Sequence, residues 1–146
     1  MPDRQLDAVV IGGGIAGMQC ALDLADQDLQ VALIEREAVI GSVFDVWMLV
    51  PGWVRGESTP QEAGVRIVDV VNHIDHICQL AGNSRHCGIG SDLDGGFGRE
   101  QTPIDLQSIA DVQSLVSLLA DRGYSPEDIE GIMHGNWIRR LGEIWS

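Results

Sequence analysis

Gly12, Gly14 and Gly17 follow directly on the apolar run Ala8–Ile11, and their spacing constrains the start of this chain more than any other feature. Glycines at GxGxxG spacing between a strand and a helix form the turn on which dinucleotide-binding folds seat a pyrophosphate. The flanking segments suit that turn. Ala8–Ile11 is a continuous apolar run of the kind a buried parallel strand shows, and Ile15, Met18, Leu22 and Ala25 recur at helical spacing. A second run, Val31–Ile34, ends at Glu35, about 20 residues beyond the glycines, where a carboxylate accepts hydrogen bonds from a ribose diol. Each glycine has a separate task. Gly12 permits the tight turn, Gly14 admits backbone to the pyrophosphate, and Gly17 lets helix and strand pack closely. The phosphates then meet the unpaired N–H groups of the helix N-terminus. The candidate cofactor-binding residues are therefore Gly12, Gly14, Gly17 and Glu35, with FAD or NAD as the ligand class.

This pattern stops near Gly41. The chain has 146 residues, enough for one ordinary domain or two small pieces. Its net charge of −13 and pI near 4.4 disfavour nucleic acid and anionic membrane surfaces, which need clustered Lys and Arg. No apolar stretch approaches the roughly 20 residues of a membrane span, and no secretory signal is visible, so the expected location is cytoplasmic. Cys20, Cys78 and Cys87 cannot all pair and match no CxxC pattern; they are expected as small buried residues in a reducing compartment.

The first segment, DAVVIGGGIAGMQCALDLADQDLQVALIER, resembles the FAD-binding start of two-dinucleotide-domain flavoproteins, and most of all the flavin-binding component of the heterodisulfide reductases and its relatives. It departs from them at Asp28 and Ser42, where many members carry glycine. The segments for the flavin ring and the second domain of that family have no counterpart here, so the resemblance implies an incomplete FAD site.

Beyond Gly41 the order is strand, helix, strand, helix, helix, the grammar of parallel α/β folds. Residues 43–50 form an apolar strand candidate ended by Pro51-Gly52. Ile67, Val70, Val71, Ile74, Ile77, Cys78 and Ala81 set one buried stripe on a long helix. Residues 86–91 give a second strand and lead into the glycine-rich loop DLDGGFGREQTP. Val112, Leu115, Val116 and Leu119 share one face of a further helix. Ser125, Pro126 and Asp128 then provide an N-cap, a first-turn proline and a capping-box acid for the last one. Of the histidines, His73 and His76 stand three apart on a polar helix face with no third ligand in view, so no metal ligand is assigned. His86 and His134 do not read as ligands either. Trp47, Trp53, Trp137 and Trp145 are expected in core or interface packing.

Two separated segments, VVNHIDHICQLAGNSRHCGIGSDLDGG and LLADRGYSPEDIEGIMHGNWIRRL, resemble the C-terminal end of the membrane dipeptidases, peptidase family M19. These are zinc hydrolases on a TIM barrel of the amidohydrolase type. The resemblance implies that residues 43–50 and 86–91 correspond to the last two barrel strands. It makes Asp92 the catalytic candidate, placed beside a metal-bridging water and a scissile dipeptide amide to orient the nucleophile and handle its proton. Asp94 belongs to an Asp-Gly turn pair and is expected to shape the loop. The family's zinc ligands come from an HxD pair, a bridging glutamate and two histidines on earlier strands, and this sequence has no such set.

The expectation is an α/β chain in which residues 1–41 form a Rossmann-like βαβ stub and residues 42–146 the last βα units of an incomplete TIM barrel. The two pieces are expected to share one four-stranded parallel sheet, with exposed edges that can join copies into a homo-oligomer. The functional expectation is a zinc-dipeptidase remnant, inactive as it stands. An oxidoreductase fragment that binds FAD or NAD, and an interaction module reusing both pieces, are the alternatives.

Overall fold

Hydrogen bonding between strands gives two separate sheets, and the computed structural model divides the chain into two units, Met1–Ala38 and Val39–Ser146. It describes residues 7–11, 20, 23–24, 27, 29, 31–34 and 38–146. Strands from the two halves do not pair among those residues, so the expected four-stranded sheet is not formed.

In the first unit β1 (Ala8–Ile11) pairs in parallel with β2 (Val31–Ile34), in register from Ala8 opposite Val31 to Ile11 opposite Ile34. Cys20, Asp23 and Leu24 between them are helical. Val9 is 51% exposed, which corrects the reading of this run as a strand covered on both faces. Parallel strands of low polarity are normally buried between helices, but among the described residues β1 has one hydrogen-bonded neighbour, and composition alone does not supply a cover. Cys20 is exposed rather than packed inside. Gly12, Gly14, Gly17 and Glu35 lie outside the described residues.

The second unit is built on β3 (Ile40–Val43) and β4 (Cys87–Ser91), also parallel, with a bulge that sets Val43 opposite Ser91. Gly41 and Gly90 permit this register. A Cβ on Gly41 would lie 2.8 Å from the Cα of Gly90, closer than any side chain tolerates. The expected strand over 43–50 is therefore displaced, and its second half is a helical turn, α1 (Val46–Leu49). Asp45 accounts for the switch. Its carboxylate accepts the Trp47 N–H at 2.9 Å, and Met48 N–H donates to the Asp45 carbonyl, which starts a helix where an apolar run by itself fits either structure.

A proline-started turn, α2 (Pro60–Ala63), precedes the long helix α3 (Ile67–Ala81). Asp69 accepts the Arg66 N–H and Asp105 accepts the Ile67 N–H, both at 2.8 Å, so two orphan donors at the start of α3 are satisfied. Its buried stripe is Ile67, Val70, Val71, Ile74 and Cys78, as the periodicity predicts; Ile77 is half-buried and Ala81 exposed. The next helix, α4 (Ser114–Asp121), buries Leu115 and Leu119 but leaves Val116 in solvent. The capping set before α5 (Pro126–Glu130) forms as expected. Ser125 Oγ accepts the Asp128 N–H at 3.2 Å and donates to the Asp128 carboxylate at 2.8 Å. A single π-turn, Gly131–Gly135, joins α5 to α6 (Asn136–Trp145) without a break.

One core holds the unit together. Phe44 and Val46, next to the C-terminal end of β3, meet Val70, Val71 and Ile74 of α3, Leu115 and Leu119 of α4, and Ile132 of the π-turn, all fully buried. Burying a side chain of this kind stabilises the fold by about 1.5–3 kcal/mol relative to leaving it in water. The π-turn redirects Asn136 inward, where its amide donates to the carbonyls of Ser84 and Cys87, each at 2.8 Å. Trp137 beside it donates to the Ile89 carbonyl at 3.0 Å. The last helix thus fixes the position of β4. Of the four tryptophans, Trp53 is buried and Trp137 half-buried, whereas Trp47 and Trp145 are exposed.

Candidate active site

The parallel pair β3–β4 ends at the bond from Phe44 N–H to the Ser91 carbonyl, 3.0 Å. One residue beyond it on each strand stands an aspartate, Asp45 on one side and Asp92 on the other. The C-terminal edge of parallel strands is where α/β folds place their chemistry.

Asp92 sits on unusual backbone. Ser91 has φ of 34° and Asp92 φ of 63°, the only two non-glycine residues with positive φ among those described. The Asp92 N–H reaches back to the Gly90 carbonyl at 2.6 Å, which closes a three-residue turn around Ser91. The Asp92 carbonyl accepts the Gly95 N–H at 2.9 Å, so Leu93 and Asp94 form the middle of the next turn. Two consecutive L-residues in the left-handed region cost of order 1–3 kcal/mol each, and such strain persists where the surroundings over-determine it. Asp92 is half-buried, while Asp94 is exposed at the turn.

Asp45 is the carboxylate that sequence reasoning missed. Only 3% exposed, it accepts the Trp47 N–H and, at 2.8 Å, the Gln101 side-chain amide. Gln101, also buried, accepts the Arg55 Nε–H on its amide oxygen at 3.2 Å. Carboxylate and guanidinium permit only this orientation, since one is purely acceptor and the other purely donor. Gln101 therefore carries order from a buried acid to a guanidinium nearer solvent. Arg55 also lies over the Trp47 ring, 6.0 Å from its centroid. The loop bearing Arg55 is closed by Val54 N–H on Ser58 Oγ and by the amides of Glu57 and Ser58 on the Val54 carbonyl. A cavity of about 480 Å³ adjoins this cluster, lined in part by Trp53, Ser58, Thr59, Arg99 and Gln101. The one available signal was Asp45 itself, an acid inside an apolar run; Gln101 and Arg55 lie too far along the chain to be linked to it by pattern.

The M19 family model, described as membrane dipeptidase, matches residues 1–145 of this chain. The chain belongs to the M19 peptidase family. Among curated relatives, dipeptidase aclJ of Aspergillus oryzae is 37% identical over 78 residues, covering 53% of this chain and 18% of that protein. An uncharacterized protein in the pqqA 5′ region of Klebsiella pneumoniae is 28% identical over 124 residues, covering 85% of this chain and 41% of the relative. The chain thus spans less than half of either of these two relatives. A 33-residue stretch is 64% identical to a CoB–CoM heterodisulfide reductase iron-sulfur protein of Methanopyrus kandleri, covering 23% of this chain and 5% of that protein. No solved structure matches the chain.

Membership in M19 raises the question of zinc. Among the described residues no three His, Cys, Asp or Glu side chains come together as a metal site. His73 and His76 are exposed on α3, and His134 is exposed as well. The described residues therefore do not fit the metal. No helix among them is long and apolar enough to cross a membrane.

Proposed function

We propose that this chain carries the aspartate-bearing strand end of a dipeptidase-type hydrolase, with Asp92 as the carboxylate that orients the attacking water and moves its proton to the leaving amine. A small dipeptide is the substrate class. The observation that carries this reading is the backbone at Ser91 and Asp92, held in the left-handed region at the C-terminal end of a parallel strand with the Asp92 N–H and carbonyl both engaged. That arrangement sets the Asp92 backbone just past the strand end, and a general base there needs to come within hydrogen-bond reach of its proton. M19 membership supplies the reaction class. Among the described residues no metal-ligand set comes together, and on this reading the site is incomplete and the isolated chain hydrolyses no dipeptide.

The test is a graft. Residues 87–101 of this chain replace the corresponding segment of an active M19 dipeptidase, and the hybrid is assayed for amino-acid release from dipeptides. Retained turnover is expected, with a loss of at least about 100-fold when the grafted aspartate is changed by Asp92→Asn, the usual weight of a positioned acid–base group. A folded hybrid in which Asp92→Asn leaves kcat unaltered would remove Asp92 from the chemistry. Turnover by the isolated chain supplied with zinc would overturn the incomplete-site reading.

The heterodisulfide reductase match favours a second reading, FAD or NAD binding by the N-terminal segment. Purified protein that stays colourless, takes up no FAD on incubation and binds no NAD in a titration would dispose of it.

A further inference from the structure

Cys78 near the C-terminal end of α3 and Cys87 at the first position of β4 are both buried, both free, and have sulfurs 3.3 Å apart. We propose that these two thiols form a redox-active pair that a small-molecule disulfide converts to an intramolecular disulfide joining α3 to β4. The elements on either side hold the pair together. Asn136 ties the carbonyls of Ser84 and Cys87 to the last helix, and Ser84 Oγ donates to Asp128 at 2.5 Å. Arg85 N–H closes on the Asn83 side chain at 2.9 Å, so the connection between the cysteines is a pinned turn and not a loose loop. Forming the bond requires the sulfurs to approach from 3.3 Å to about 2.05 Å.

The two thiols have different parts. Cys78 borders an open hollow of about 370 Å³ that it shares with Gln79, Asn83, Ser84, Tyr124 and Asp128, so an oxidant reaches it first. Cys87 is fully enclosed. Burial pushes its thiol far above the usual cysteine range, and the adjacent Cys78 thiol and Asp128 charge act in the same direction. Its enclosure leaves Cys78 as the thiol that meets the oxidant, and Cys87, with its sulfur 3.3 Å away, as the one that resolves the mixed disulfide. In the first step the Cys78 thiolate bonds to one sulfur of the oxidant, whose S–S bond breaks; the departing thiolate takes up the proton Cys78 gave. In the second step Cys87 loses its proton and attacks the Cys78 sulfur, and the second small thiol leaves with that proton. Two protein thiols are oxidised and one small disulfide is reduced to two thiols.

Cystamine is the probe, applied to the full chain carrying Cys20→Ser so that the exposed thiol adds no product of its own. Both remaining thiols are expected to disappear with no cysteamine left attached. The chain has no lysine, and trypsin cuts after Arg66, Arg85 and Arg99, so peptides 67–85 and 86–99 should migrate as one species that reduction separates. Closing a loop of about ten residues should raise the thermal midpoint by roughly 10 °C, reversed by reductant. Adding Cys87→Ser should arrest the reaction at the Cys78–cysteamine adduct. Cysteines that remain open to alkylation after unfolding of the cystamine-treated protein would overturn the proposal. So would linkage only between separate chains.

Discussion

Removal of the Asp45 carboxylate tests whether the strand-end cluster is held together from below. Asp45→Ala deletes two acceptor roles at one buried position, the cap on Trp47 N–H and the partner of the Gln101 amide. Loss of an N-cap costs about 0.5–2 kcal/mol. Gln101 is 4% exposed, so its NH2 is left buried without its partner, at about 1–3 kcal/mol. The expected destabilisation is about 2–4 kcal/mol. Asp45→Asn keeps a capping oxygen but gives up the charge-assisted bond, and should cost about 1 kcal/mol. Because Gln101 and Asp45 share a contact, their effects should not add; the double-mutant cycle with Gln101→Ala should return a coupling of about 1–2 kcal/mol. Urea unfolding followed by tryptophan fluorescence reads this directly, since all four tryptophans fall within the unit Val39–Ser146. A shift under about 0.5 kcal/mol for Asp45→Ala, or a cycle that is additive, would refute the argument that this carboxylate organises Gln101 and through it Arg55.

Three further outcomes follow from particular contacts. A Cβ on Gly88 would come within 2.5 Å of Trp137 Nε1, so Gly88→Ala should lower stability by about 1–3 kcal/mol in urea titration and disturb the near-UV signal of that indole. Asp92→Gly removes the steric cost at φ of 63° and should leave stability unchanged or raise it by up to about 1 kcal/mol in the same titration, a gain that a strain-free Asp92 would not give. Hydrogen bonds from Ser84 and Ser125 hold Asp128 below the usual carboxylate range, and the backbone amides of Ser108 and Gln107 do the same for Asp111. A carboxyl depressed in the folded state contributes stability that is complete above its unfolded pKa and lost as pH falls through the folded one. The thermal midpoint should therefore fall below about pH 4, and Asp128→Asn should flatten that fall.

The parts of the fold written in side-chain periodicity were legible beforehand. The stripe from Ile67 to Cys78 and the cap at Ser125 depend on neighbours three or four residues away, and local spacing carries that information. The stretch after Gly41 was not legible, because a largely apolar run suits a strand or a buried helix equally, and one hydrogen bond accepted by Asp45 decides between them. Register was hidden for a similar reason. It turns on Gly41 meeting Gly90 across the bulge, a contact between residues that nothing local relates. The candidate site divides along the same line. Asp92 stood out because its segment resembles a family motif, yet the strain at Ser91 that fixes its position exists only in three dimensions. Asp45, Gln101 and Arg55 carry no motif at all, and fold alone draws them into one chain of donors and acceptors. Motif reading finds the residue that resembles a family's catalytic position, whereas the groups that hold a strand end in shape are chosen by complementarity of donor and acceptor. If Asp45→Ala and Asp92→Gly move stability in opposite directions, that division is physical: one acid stabilises the strand end, and the other is kept there at a cost to stability.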